Sequence, residues 1–229
     1  MLKKISTVGD SHVICDFGEN VDLSTNSEVI KLFDYIKLEQ NQKKFEGLLN
    51  CTPSYNKLLI HFDIEQIKSN KVIERIKSLN FTSNYKNKKT KIKNLPICYD
   101  EEFALDLLNI EEKLKMNFSE IIKKHQEINF FIYMIGFIPG HPFMGDLDKN
   151  LYLSRLSTPR LKVPKGSVGI VEKFCNIYTF DSPGGWNIIG RTPIELFNIN
   201  NKISSKLKPG DIVKFQSITK SELKKLNEW

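Results

Sequence analysis

Over residues 12–18, "HVICDFG", an apolar run closed by Gly18 predicts a β-strand. Thr25 followed by Glu28 forms a capping box. It opens a helix through "SEVIKLFDYIKLEQ", with Val29, Leu32, Phe33 and Ile36 on one face. "FEGLLNCTP" and "NKLLIHFD" read as two strands joined by a Pro-Ser turn. Asp63 with Gln66 starts a second helix, "IEQIKSNKVIERIKSLN", whose apolar positions are Ile64, Ile67, Ile73 and Ile76. The order β-α-β-β-α, with a further strand around "TKIKNLPICY", predicts a ferredoxin-like α/β sandwich over residues 1–88.

The polar stretch 84–94 is the natural boundary, and residues 89–229 form a second domain. There "EEFALDLLNI" and "NFSEIIKKHQE" are short helices, the second capped by Asn117 with Glu120. From "INFFIYMIGF" (128–137) onward, strands broken by Gly and Pro predict an all-β arrangement with tight turns. The expected class is α+β.

Composition narrows the function classes. The 229 residues are 40% hydrophobic and 27% charged, as in ordinary globular proteins. No run approaches the roughly 20 apolar residues of a membrane span, and "MLKKISTVGDSHVI" lacks the apolar core of a secretory signal, so a cytoplasmic protein without membrane contact is expected. Cys15, Cys51, Cys98 and Cys175 lie far apart with no C-x-x-C pair, which predicts reduced, buried thiols and no metal site. The net charge of +7 comes from 30 Lys and only four Arg, spread along the chain. The densest basic run, "NYKNKKTKIKN" (84–94), lacks interleaved aromatics and reads as a solvated linker or strand edge rather than a nucleic-acid surface.

Residues 136–193 break this pattern. They hold eight of the twelve glycines, six of the nine prolines and three of the four arginines (Arg155, Arg160, Arg191). In a chain that uses Lys for nearly every cation, an arginine implies a need for the planar, bidentate guanidinium. Rigid Gly- and Pro-bearing loops that carry arginines and aromatics suit a small-anion or carboxylate site, although glycine and proline also simply turn the corners of a barrel. Trp186 reads equally as a core plug or a ligand wall. His141, between Gly140 and Pro142, is expected in a partly exposed loop, and His125 as a partner of a helix C-terminus. Asp146 and Asp148, in "GDLD", read as turn caps or as groups facing the site. No nucleophile–base–acid set is recognisable from spacing.

Three blocks in this stretch, "YMIGFIPGHPFMGDLD" (133–148), "TPRLKVPKGSVGIV" (158–171) and "SPGGWNIIGRTPIELF" (182–197), closely resemble the family of 5-oxoprolinase B subunits and KipI, also called allophanate hydrolase subunit 1. "GDSHVICDFG", "TPSYNKLLIHFD" and "LKPGDIVKF" extend the resemblance over nearly the whole chain. It implies a ferredoxin-like N-terminal domain and a cyclophilin-like β-barrel C-terminal domain. It also implies a protein that works with a sister barrel, the C subunit, and with an A subunit. Together they would open 5-oxo-L-proline to L-glutamate at the expense of ATP, with Mg as the nucleotide's companion. The alternatives within the resemblance are an inhibitor of a sporulation histidine kinase and a carboxyltransferase component of urea or allophanate chemistry. Peptidyl-prolyl isomerase activity does not follow from a cyclophilin-like fold.

A lactam is a poor electrophile, so such a site must hold a carboxylate, stabilise charge on oxygen and exclude water. The candidates for anion contact or catalysis are Arg160, Arg191 and His141, and loss of the Arg191 side chain is expected to abolish activity of the assembled complex. Backbone amides at Gly184 and Gly185 are candidate donors. Phe137, Phe143 and Trp186 are candidate apolar walls, and Pro139, Gly140 and Ser182 complete the expected loop cluster. The chain departs from the family pattern at His141, where an aromatic is usual, and at Asp146. It departs again in "VEKFCNIYTF", where Phe174, Cys175 and Asn176 replace Gln-Thr-Gly and Thr179 replaces Pro, and at Asn56, where Arg is general. Asn176 is expected to take the left-handed conformation of the replaced glycine.

Overall fold

Asp22 starts the first helix. Its carboxylate accepts the Thr25 N–H at 2.7 Å, so α1 spans Leu23–Asn41 and Thr25 lies inside it. The expected cap at Thr25 is therefore displaced three residues upstream to an aspartate, which satisfies an orphan donor of the earlier first turn. The structure, a computed structural model, describes residues 2–79 and 92–226. The chain divides into two compact units, Met1–Lys89 and Thr90–Trp229. The expected boundary at 88/89, and the basic run 84–94 as far as residue 91, lie outside the described residues.

In the first unit, β1 (Lys4–Val8), β2 (His12–Asp16), β3 (Leu48–Pro53) and β4 (Lys57–Phe62) form an antiparallel sheet in the order β1-β2-β4-β3. Helix α1 packs on β3 and β4, and α2 (Ser69–Ser78) on β1 and β2. Alternation puts Val13 and Cys15, then Leu58, Ile60 and Phe62, into one core with Val29, Leu32, Ile36, Val72 and Ile76. Three expectations change here. Strand β1 is an addition, because "KISTV" is too polar to stand out, and it pairs as the outer arm of a short hairpin. Helix α2 begins at Ser69; the Asp63 carboxylate instead holds a turn by accepting the Glu65 N–H at 2.9 Å and the Gln66 Nε2–H at 2.7 Å. The strand expected around 90–99 does not belong to this sheet.

That strand, β5 (Ile92–Ile97), pairs in parallel with β13 (Ile212–Ser217) in the second unit. Between them come α3 (Leu107–Leu114), α4 (Phe118–Glu127), β6 (Phe130–Ile135), β7 (Pro142–Gly145), β8 (Arg160–Val163), β9 (Ser167–Val171), β10 (Phe174–Ile177), β11 (Ser182–Gly184) and β12 (Asn187–Arg191). Seven strands run β12-β9-β10-β7-β6-β13-β5, while β8 and β11 form a separate pair. The ends of the seven-stranded sheet meet. Cys98, just past β5, donates its N–H to the Arg191 carbonyl at 2.8 Å, and Arg191 returns the bond at 2.9 Å. The sheet is thus a nearly closed barrel, filled by Ile97, Phe130, Ile132, Met144, Val168, Ile170, Ile189 and Phe215. Gly190 makes the seam feasible, because a Cβ there would lie 2.7 Å from the Cys98 carbonyl oxygen.

The stretch from residue 128 onward, expected to be all-β, also carries a helix. Helices α3 and α4, the two short helices expected from the sequence, lie between β5 and β6, and α5 (Lys220–Leu226) follows β13; its lysine-rich sequence hides a single buried anchor, Leu223. Asn117 caps α4 as expected, its side chain accepting the Glu120 N–H at 3.0 Å. The fold is mixed α+β, with five α-helices among the described residues. All four cysteines are free and buried, and burial pushes the Cys15 thiol up to about 12. No helix among the described residues is long and apolar enough to cross a membrane.

Candidate functional site

Glu172, at φ +48, turns the β9–β10 hairpin, so the residues after it are strand. Asn176 therefore does not take the left-handed conformation expected of it; it pairs with Gly169 on one side and Phe143 on the other. Its side chain is buried and meets His141, Nδ2 to Nε2, at 3.1 Å. His141 is only 1% exposed, which corrects the expectation of a partly exposed loop residue. The ring is enclosed edge-on by Phe137 and Tyr178 and tilted against Phe143. His141 Nδ1 and Asn176 Oδ1 are buried without a hydrogen-bond partner.

Above this pair lies a cleft of about 240 Å³. One wall is aromatic: Phe137, Phe143 and Trp186, the last two edge-to-face at 6.0 Å. The other is the Pro183–Gly184–Gly185 segment with Tyr178 behind it. Gly184 is obligatory, since a Cβ would overlap the Tyr178 hydroxyl. Burial raises the Tyr178 pKa, against the opposing pull of the Asn176 side chain, the Arg155 charge, the Trp186 N–H and the Arg160 charge. Phe137 stands at the rim, 69% exposed at φ +70. A bulky side chain in the left-handed region is strained backbone of the kind that clusters at binding sites.

The cleft gathers six of the sequence candidates: Phe137, His141, Phe143, Gly184, Gly185 and Trp186. Trp186 is both plug and wall, 5% exposed yet lining the cavity. Pro139, Gly140, Ser182, Arg160 and Arg191 are not among the lining residues. Pro139 offers its carbonyl to the Thr179 hydroxyl at 2.7 Å, and the Ser182 hydroxyl is buried without a partner. Arg160 forms a bidentate ion pair with Asp106, at 3.0 and 2.5 Å, and that carboxylate also accepts the Ile188 N–H at 2.7 Å. Arg191 donates Nε to the Lys165 carbonyl at 2.8 Å, on the barrel seam.

Sequence reasoning passes over Arg155, Asn176 and Tyr178 as cleft residues. Arg155 shares the rarity of arginine, but nothing local distinguishes it. Asp146 accepts from the Tyr133 hydroxyl at 2.9 Å, and Asp148 caps the turn at Lys149–Leu151 by accepting the Asn150 N–H at 2.8 Å. Among the described residues, no group of three or more His, Cys, Asp or Glu side chains is placed to hold a metal ion.

His125 is fully buried rather than a surface partner of the helix end. Its Nδ1 meets the Tyr99 hydroxyl at 2.8 Å and its Nε2 faces Cys175 Sγ at 3.6 Å. Burial lowers His125 from 6.5 to about 3 and His141 from 6.5 to about 4. Both are neutral in the fold, so below pH 6.5 the unfolded chain binds protons that the fold refuses. Their contribution is complete above pH 6.5 and is lost as the pH falls, towards about 4 for His141 and about 3 for His125. At about pH 5 the expected loss is on the order of 2 kcal/mol per histidine. Urea midpoints at neutral pH and at about pH 5 measure it, and His125→Phe should flatten the dependence.

The model of the family described as carboxyltransferase domain, subdomain C and D, matches residues 3–207. A Bacillus subtilis protein named as the B subunit of 5-oxoprolinase is 31% identical, over 96% of this chain and 94% of its own length. Urea amidolyase of Lachancea kluyveri is 23% identical over 96% of this chain, which spans only 14% of that protein. The crystal structure of TTHA0988 superposes with a TM-score of 0.80 at 25% identity, covering 91% of this chain and 40% of that one. With most of its length matched by the family model and nearly all of it by a 31% identical relative, the chain belongs to the carboxyltransferase domain, subdomain C and D family.

Proposed function

We propose that this protein is the B subunit of an ATP-dependent 5-oxoprolinase, which opens 5-oxo-L-proline to L-glutamate together with a sister barrel, the C subunit, and an A subunit. The observation that carries the reading is the end-to-end similarity to the Bacillus subtilis protein of that name. The cleft supports it. Its volume of about 240 Å³ suits a single five-membered ring, falling below the ~300–1,000 Å³ of pockets that enclose drug-sized ligands. The same volume does not fit a nucleotide, so ATP and its Mg are not assigned to this cleft.

The chain's own residues bind and shield the substrate. Phe137, Phe143 and Trp186 supply apolar faces that exclude water, which strengthens every polar contact made inside. The neutral His141–Asn176 pair forms a polar floor without bringing a second cation into the cleft. Arg160 and Arg191 act indirectly, Arg160 by fixing β8 against the start of α3 and β12, and Arg191 by holding the Lys165 turn beside the seam. On the same reading the first unit is a ferredoxin-like domain and the second a cyclophilin-like barrel.

Co-expression with the two partner subunits tests the proposal. The expected result is ATP-dependent glutamate formation from 5-oxoproline that requires all three chains. A stable complex with the sister barrel but without turnover would favour urea-type carboxyl transfer, which the family description and the urea amidolyase similarity also accommodate. Absence of any complex would favour the histidine-kinase inhibitor.

A further inference from the structure

Two of the three arginines of the Gly-rich stretch have their guanidinium groups engaged by neighbours. Arg160 is clamped by Asp106, and Arg191 donates to the Lys165 carbonyl. Arg155 is different. It lines the cleft and is exposed, and its guanidinium carbon lies 5.8 Å from the centroid of the Trp186 ring. No carboxylate pairs with it among the described residues. An aromatic face holds a guanidinium by its π cloud and leaves the N–H edges unspent. Those edges can then grip a carboxylate bidentately, a geometry that lysine cannot supply. Trp186 is itself fixed, buried and braced by Phe143, so the cation rests on a rigid platform.

We propose that Arg155 is the carboxylate anchor of the cleft, and that the cleft selects small ring-bearing carboxylic acids over their neutral analogues. The ring lies against Phe143 and Trp186, and the acid group points to the mouth, where Arg155 stands. This rests on the reading of the cleft as the substrate site, but the carboxylate preference is separable from the lactam.

Calorimetric titration of the full chain with cyclopentanecarboxylate, cyclopentanecarboxamide and 5-oxoproline tests it. The acid should bind about tenfold or more tightly than the amide. Arg155→Gln should erase that preference and Arg155→Lys should restore only part of it, while unchanged melting temperatures confirm that both variants fold. Equal binding of acid and amide, failure of the acid to bind, or an Arg155→Gln variant that keeps the preference would overturn the anchor. If the acid shows the Arg155-dependent preference but 5-oxoproline binds no better than cyclopentanecarboxylate, the anchor stands and the lactam reading fails.

Discussion

Asp106→Ala should lower the free energy of unfolding by about 3 kcal/mol, the lower end of the cost of breaking a buried ion pair. The Asp106 side chain is 5% exposed and its Arg160 partner 29%, which is why the lower end applies. The change leaves the Arg160 guanidinium half-buried without its counter-charge and removes the acceptor of the Ile188 N–H. Asp106→Asn keeps the shape and one acceptor, so it should cost less. Denaturant midpoints of the three proteins measure the ladder. An Asp106→Ala variant as stable as the parent would mean that the clamp does not hold β8 and β12 together.

Gly190→Val should be similarly damaging, at about 3 kcal/mol, toward the upper end of overpacking costs. The new Cβ would meet the Cys98 carbonyl oxygen, a backbone atom that cannot rotate away, and the side chain of Ile97. Relief requires β12 to separate from the segment after β5, which breaks both hydrogen bonds of the seam. Amide exchange at Cys98 and Arg191 should therefore accelerate more than exchange within β9 and β10. Uniform acceleration across the sheet would indicate global destabilisation without local opening.

The local pattern carried much of the fold because strands and helices leave period-specific traces. Val29, Leu32 and Ile36 marked α1, and "KLLIHF" marked β4, since each buries one face and the burial is written into the spacing. Boundaries were less secure. Asp22 and Thr25 are both acceptable caps, and the choice depends on how the chain enters the helix. Strand β1 left little trace because an exposed edge needs few apolar residues.

Pairing partners were beyond local reading. Nothing in "IKNLPI" says that its neighbour is a segment more than a hundred residues later, in β13, because parallel pairing is set by tertiary closure rather than by a turn.

For the candidate site, the unusual density of glycine, proline and arginine between residues 136 and 193 located the cleft from sequence alone, and the aromatic walls Phe137, Phe143 and Trp186 came with it. Rarity could not rank the arginines. All three share a reason to be arginine, and only packing distinguishes the one over Trp186 from the one held by Asp106 and the one beside Lys165. Asn176 and His141 were visible only as separate oddities until strand pairing brought their side chains to 3.1 Å. The sequence by itself determined which residue types were available and where the backbone had to be permissive. Which of them face the cleft, and which are neutralised by neighbours, was decided by the tertiary structure. Burial and counter-charges depend on contacts between segments, and a one-dimensional pattern does not contain them.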